Sequence, residues 1–325
     1  MRTKALPRTD LRVSVIGLGA LYLGSTVDWQ KSKQILDRYV EAGGNFIDTA
    51  EVYAGWIAGG EHQSEEAIGR WLRERGGRDQ IVLSTKGGHP KLASMHVPRL
   101  SKQEIESDLN SSLRRLGVDS IDIYWLHRDN PSVPVEEILL WLEAFRKAGK
   151  IKHSGFSNWT LERAEAARKA ASQSGIPGFV ASQNMWSLGR INLKNADPTW
   201  AYMDAEFVRW HVAHRCGAFP YLAQASGYFR RLEEGTLDQL PPDSSVRALF
   251  DHAENRERFR RIRVLQKKSG LPVGHIVLGY LLNQPLSVFP LIGPTKVADL
   301  EDSLRCADVA LSPEEIAFLE SGGRN

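Results

Sequence analysis

The chain has 325 residues, 42% of them hydrophobic and 25% charged, with a formal net charge of +3. This balance excludes a disordered or low-complexity chain, and because Lys and Arg are interspersed with Asp and Glu it gives no footprint for nucleic acid. Cys216 and Cys306 fit neither a disulfide framework nor a metal pattern, no run approaches the ~18 apolar residues of a membrane span, and the charged N-terminus has no apolar signal core, so a cytoplasmic protein with no metal and no membrane partner is expected.

The apolar run at 13–16 reads as a first strand and breaks into Gly17-Leu-Gly19. A dinucleotide fingerprint would need a third small residue and an immediate helix. Tyr22 stands at that third position and no first helical turn follows, so Gly17–Ala20 reads instead as the glycine-rich end of a strand against which a flat ligand can lie. Further short apolar strands are expected at 45–48, 81–85, 121–126, 153–157, 180–184, 219–223 and 288–292, as in a parallel sheet buried on both faces. Helical segments lie between them. Ser101 to Glu104 is a capping box opening a helix with Ile105, Leu109, Leu113 and Leu116 on one face, ended by Gly117. A second helix covers 136–148, and Thr160 caps an Ala-rich third. His211 and His214, three apart on an inserted helix, read as packing or surface residues for want of a third ligand. The long stretch 227–252 is rich in Arg, Glu, Gly and Pro and is expected to be a lid or loop after the seventh strand. Helices near 254–268 and 273–283 follow, and Ser312-Pro-Glu-Glu315 opens the last one. Eight strands alternating with helices predict an α/β fold, a (β/α)8 TIM barrel, as a single domain over residues 1–325.

In such a barrel the active site gathers at the carboxyl ends of the strands. Asp48 ends the second strand, Lys86 the third and His127 the fourth, with Tyr53 in the loop after Asp48. An acid, a cation, an imidazole and a phenol on one rim form a proton-transfer device. A nearby ammonium is expected to lower the phenol from its ordinary value near ~10, with the carboxylate holding the lysine and the histidine orienting a carbonyl.

Several stretches resemble the aldo-keto reductase family: Asn45-Phe-Ile-Asp-Thr-Ala-Glu-Val-Tyr53, Ser84-Thr-Lys-Gly-Gly88, the run from Leu113 to His127, Gly155-Phe-Ser-Asn-Trp159 and Leu291-Ile-Gly-Pro-Thr-Lys296. The resemblance runs in order along nearly the whole chain. It implies a catalytic tetrad of Asp48, Tyr53, Lys86 and His127 and an NADP(H) cofactor, with NAD(H) as the alternative. Asp48, Gly19 and Ala20 would border the cofactor. Ser157, Asn158 and Gln183 would hold the nicotinamide amide, with Trp186 stacked on the ring. Leu222, Ala223, Gln224 and Gly227 would meet the pyrophosphate, and Ile292, Gly293, Thr295, Lys296, Asp299, Asp302 and Ser303 the adenosine end. Two departures stand out. Asp299 and Ser303 replace residues common in the family, and the acid at 299 weakens the case for NADP over NAD. Trp29, Trp56, Trp125 and Arg128 are expected to line the mouth for a small-molecule carbonyl or alcohol, and polar neighbours such as Asp129 and Asn158 point to a sugar or sugar-derived ketone. The alternatives are an NAD-dependent sugar dehydrogenase on the same barrel and a non-catalytic nucleotide-binding regulatory subunit.

Overall fold

A computed structural model describes residues 1–322 of the chain. It opens with an antiparallel hairpin, Thr3–Ala5 paired with Arg12–Ser14. This corrects the first expected strand: residues 13 and 14 belong to the hairpin, and the barrel begins at β1, Gly17–Gly19. The glycine there is steric. A Cβ on Gly17 would fall 2.7 Å from both Leu291 Cδ2 and Phe46 Cδ1. No helix follows until α1, Trp29–Glu41.

The chain then alternates as expected. β2 is Phe46–Asp48, α2 Gln63–Arg75, β3 Val82–Gly87 and α3 Lys102–Leu116. β4 is Ile121–Leu126, α4 Val135–Lys147, β5 Ile151–Phe156, α5 Leu161–Ser174 and β6 Phe179–Ser182. The capping boxes at Ser101/Glu104 and Ser312/Glu315 both form, and the Thr160 side chain accepts from Arg163 N. After β6 comes the inserted α6, Ala205–His214, then β7, Gly217–Ala218, and β8, Leu291–Ile292.

The eight strands are all parallel and ordered β8-β1-β2-β3-β4-β5-β6-β7. A bridge between Ala218 and Val288 closes the ring, with Phe289 N donating to Ala218 O at 2.8 Å and Leu291 N to Pro220 O at 3.0 Å. The result is a (β/α)8 barrel. The seventh strand lies at Gly217–Ala218, just before the expected 219–223, and the eighth keeps only Leu291–Ile292 of the expected 288–292. Past Ala218 the pairing continues through separate bonds such as Phe219 N to Ser182 O at 2.8 Å, and the chain turns at Leu222, whose φ is 53°.

The long segment after β7 is built of helix rather than irregular chain. It holds α7, Tyr228–Glu234, a 3-10 turn at Leu237–Gln239 and α8, Ser245–Phe250, and Tyr228, Phe229, Leu237 and Phe250 anchor it in the core. Helices α9, Ala253–Ser269, and α10, Val273–Leu282, follow, and α11, Val297–Leu304, and α12, Pro313–Ser321, end the described chain. Among the described residues no helix is long and apolar enough to cross a membrane.

The barrel floor is an apolar plug. Leu6, Leu11 and Val13 of the hairpin pack with Phe46, Val82, Ile123, Trp125, Phe219, Phe289 and Leu291. Each such side chain contributes about 1.5–3 kcal/mol when fully buried. His211 lies outside the ring as a packing residue: Nδ1–H donates to Phe207 O at 2.8 Å, so Nε2 accepts from Ser182 Oγ at 2.7 Å.

Candidate active site

Side chains two residues apart share a strand face. Phe46 and Asp48 therefore share one face of β2, and Val82, Ser84 and Lys86 one face of β3. Ile123, Trp125 and, one step past β4, His127 continue the series. The register sets Asp48 beside Ser84, and His127 N donates to Gly87 O at 2.8 Å. Gly87 is needed because a Cβ there would lie 2.0 Å from the Tyr124 hydroxyl.

At this end the structure brings Asp48, Tyr53, Lys86 and His127 together. Asp48 Oδ2 accepts from Lys86 Nζ at 2.5 Å, while Oδ1 accepts from Ser84 Oγ at 2.6 Å and Gln183 Nε2 at 3.0 Å. Lys86 Nζ also donates to Thr49 O and to the Tyr53 hydroxyl, both at 2.7 Å. All three ammonium hydrogens are thus used, and because Tyr53 accepts one of them its own proton is left to point into the cleft. Asp48 and Lys86 are each 1% exposed, whereas Tyr53 is half-buried at the mouth.

The electrostatics correct one expectation. Burial first, then the Asp48 charge, pushes the Tyr53 phenol well above its ordinary range, and the opposing pull of Arg128 does not offset them. Tyr53 is held protonated rather than primed as a phenolate. Burial also pulls Lys86 down, against the attraction of Asp48. His127 is driven well below its usual value by burial and then by His89, Arg128 and Lys86, so its ring is neutral. Its Nδ1 is buried without a hydrogen-bond partner. An orphaned lone pair costs less than an orphaned N–H, which assigns the ring proton to Nε2. The ring stands edge-on to Tyr53, centroids 6.0 Å apart. A phenol proton and an imidazole N–H can therefore converge on one substrate oxygen.

The residues expected to meet a cofactor fall into two groups. In the first, Asn158 has φ of 60° and is a hub: its Nδ2 donates to His127 O at 3.2 Å and Ser157 Oγ at 3.0 Å, while its Oδ1 accepts from the Tyr221 hydroxyl at 2.7 Å. Ser157 Oγ donates to Gln183 O at 2.7 Å, and buried Trp186 meets Tyr280 edge-on. Ala20 N donates to Asp48 O at 2.8 Å, and a Cβ on Gly19 would lie 3.3 Å from Ile292 O. In the second group, Gln224, Gly227, Gly293, Thr295, Lys296, Asp299, Asp302 and Ser303 line one groove between the β7 loop and α11, with Leu222, Ala223 and Ile292 adjoining in the chain. Gly227 and Gly293 face open space there, which leaves a cradle a ligand can enter. Lys296 stands at the N-terminus of α11, which has no side-chain cap, so its first amides are free for an anion. Asp302 is tied to His275 at 3.2 Å and Arg305 at 2.7 Å. Asp299 is paired with Arg230 at 3.0 Å, which offsets the acid that weakened the NADP reading, and Gln224 Nε2 donates to Ser303 Oγ at 3.2 Å across the groove.

The expected substrate residues separate. Trp56 is 51% exposed and stands edge-on to Tyr53 at 6.4 Å. Arg128 lies beside His127, its Nη1 donating to His127 O at 2.9 Å. Trp125 does not line the mouth: it is fully buried in the floor against Phe219, because it points down from β4 and fills the space that Gly155 leaves open. The Arg70 guanidinium covers the face of Trp29, 4.0 Å from the ring centroid, so this ring serves the seam between α1 and α2. Asp129 is turned to Arg163 at 2.9 Å. With Asn158 also committed, the polar basis for a sugar substrate shrinks.

Sequence reasoning missed Ser84, Thr49, His89, Tyr221 and Arg230. Ser84 carried a signal, standing two residues before Lys86 on the same strand face. His89, whose ring lies 4.7 Å from His127, and Tyr221 carried none.

The family model described as "Aldo/keto reductase family" matches residues 15–322. An aryl-alcohol dehydrogenase [NADP(+)] from Phanerodontia chrysosporium is 29% identical, over 96% of this chain and 83% of its own. A thermostable aldo-keto reductase, Tm1743, solved with the inhibitor epalrestat, superposes with a TM-score of 0.72 at 23% identity, covering 99% of this chain and 100% of that one. An aldo/keto reductase from Klebsiella pneumoniae, solved with NADP and acetate, gives a TM-score of 0.67 at 22% identity, covering 95% and 91%. With its barrel closed and the family's model matched from the first strand to the last helix, the chain belongs to the aldo/keto reductase family.

Proposed function

We propose that this protein is an NADP(H)-dependent oxidoreductase that interconverts a carbonyl compound and an alcohol, acting as a single catalytic domain. The observation that carries the reading is the buried Asp48–Lys86 pair donating to the Tyr53 hydroxyl, which leaves the phenol proton free at the cleft. A bound reduced nicotinamide would supply the hydride. In the reductive direction Tyr53 gives its proton to the carbonyl oxygen, and neutral His127 orients that oxygen through Nε2–H. Lys86 steadies the charge left on Tyr53, and Asp48 keeps Lys86 in register. Holding donor and acceptor in one geometry contributes much of the rate. In oxidation Tyr53 takes the proton back.

The groove by α11 supports NADP(H) as the cofactor. Lys296, Thr295 and the uncapped α11 N-terminus suit a phosphate, and Arg230 compensates Asp299. Exposed Trp56 beside Tyr53 suits an aryl aldehyde or aryl alcohol, in keeping with the activity named for the Phanerodontia chrysosporium relative. The test is NADPH-dependent reduction of benzaldehyde by wild type and Tyr53→Phe. The variant is expected to lose at least ~100-fold in kcat/KM, the low end of acid–base contributions. Equal rates would remove Tyr53 from its role, and an inert wild type with a panel of aldehydes and ketones would remove the reading.

A further inference from the structure

We infer that Arg128 is an anchor for an anionic substrate, so that the preferred carbonyl compounds are aromatic and carry a carboxylate. The inference rests on the proposed reaction for the position of the reacting oxygen, but its electrostatic basis is independent of it.

Arg128 is 8% exposed. Nε donates to Thr199 Oγ1 at 3.0 Å and Nη1 to His127 O at 2.9 Å, and these two bonds fix the guanidinium plane. Among the described residues Nη2 has no acceptor, nor does the second hydrogen of Nη1. Among the described residues no carboxylate lies within ion-pair distance of Arg128. The other buried arginine, Arg258, behaves differently and pairs with Glu254 at 3.2 Å.

Asp197 reaches Arg128 only through the Thr199 hydroxyl, and Asp129 is held by another arginine. Asp197 Oδ1 accepts from Thr199 N at 2.8 Å and Thr199 Oγ1 at 2.7 Å. Asp129, next in sequence, is held by Arg163 at 2.9 Å. The Arg128 charge is nonetheless felt by Tyr53, His127, His89 and Lys86, so it sits over the same cleft. A guanidinium does not deprotonate in this setting. An unpaired buried charge is costly, and the remaining Nη1–Nη2 edge of the planar fork matches a carboxylate. A neutral substrate leaves that cost in place, while a carboxylated one offsets it in the bound complex. The anchor also lies beside the His127 carbonyl, so it can set the distance between the anionic group and the reacting oxygen.

The test compares 3-carboxybenzaldehyde with benzaldehyde, each with NADPH, in wild type, Arg128→Met and Arg128→Lys. Wild type is expected to favour the carboxylated aldehyde in kcat/KM. Arg128→Met is expected to lower the ratio of the two by about 30-fold or more, in the range for truncating one partner of a buried charge pair. Arg128→Lys, which keeps the charge, should lose only part of it. A ratio near unity in wild type, or one unchanged in Arg128→Met, overturns the inference whatever the absolute rates do. Binding of benzoate and benzamide to wild type and Arg128→Met with NADP+, followed by tryptophan fluorescence, gives a readout free of turnover. Preference for benzoate lost in Arg128→Met upholds the anchor even if neither aldehyde is reduced, a result that would sink the proposed reaction instead. Equal affinity for the two ligands in wild type overturns the anchor while leaving aldehyde reduction standing.

Discussion

The two ends of the barrel interior are made by the same strands and differ in every chemical respect. Phe46, Val82, Ile123 and Trp125 close the floor, and two to four residues further along the same faces stand Asp48, Lys86 and His127. The floor is dry and apolar and is capped by the hairpin. The catalytic end is almost as buried, yet every member of its Asp48–Ser84–Lys86–Gln183 network has a partner. The lesson is that a buried lysine can be kept as a working group when the layer beneath it is packed well enough to hold its acceptors in place.

The comparison breaks most sharply at Lys86. Lys86→Met leaves Asp48 buried without its cation, and should cost about 3–5 kcal/mol of unfolding free energy in addition to abolishing reduction. Adding Asp48→Asn is expected to recover most of the stability and none of the activity. A double variant as unstable as the single one in urea unfolding would mean that the network is not the linked unit described. Trp125→Ala attacks the floor instead. A loss of about 3 kcal/mol or more is expected, with turnover per folded molecule kept within a few-fold. A collapse of kcat in folded Trp125→Ala would show that the two layers are not separable.

The smallest expected effect is acid sensitivity. Burial pushes His89 and His211 down to about 4 and His127 well below its ordinary range. Their folded values lie below that of the unfolded chain, near ~6.5. Stability is therefore whole above pH ~6.5 and falls as the pH drops toward the folded values, by at most about 2 kcal/mol per histidine at pH 5. A urea-unfolding series from pH 7 to 5 checks this. A flat profile would count against neutral buried imidazoles.

Much of this was legible from residue order. Lys86, Asp48 and His127 each end a short apolar run, and strand period and barrel topology bring such ends together. The α3 and α12 starts were legible because a capping box is local. The first barrel strand was not, since Gly17-Leu-Gly19 has no apolar alternation while the hairpin strand before it does. The helices of 227–252 were hidden by their charged composition, because three buried aromatics, Tyr228, Phe229 and Phe250, do the anchoring. The direction of Trp125 turned on a single strand position, and the Tyr53 proton on a contest between burial and a neighbouring ammonium that no motif records.

The ring itself is unevenly zipped. β4 and β5 run together over six residues each, whereas β7 and β8 are two residues long and meet through the single Ala218–Val288 bridge and its flanking amides. The seam where the barrel parts with least effort is thus also the border of the α11 groove. A ligand lying across it would act as a stitch, and the empty protein should breathe there first.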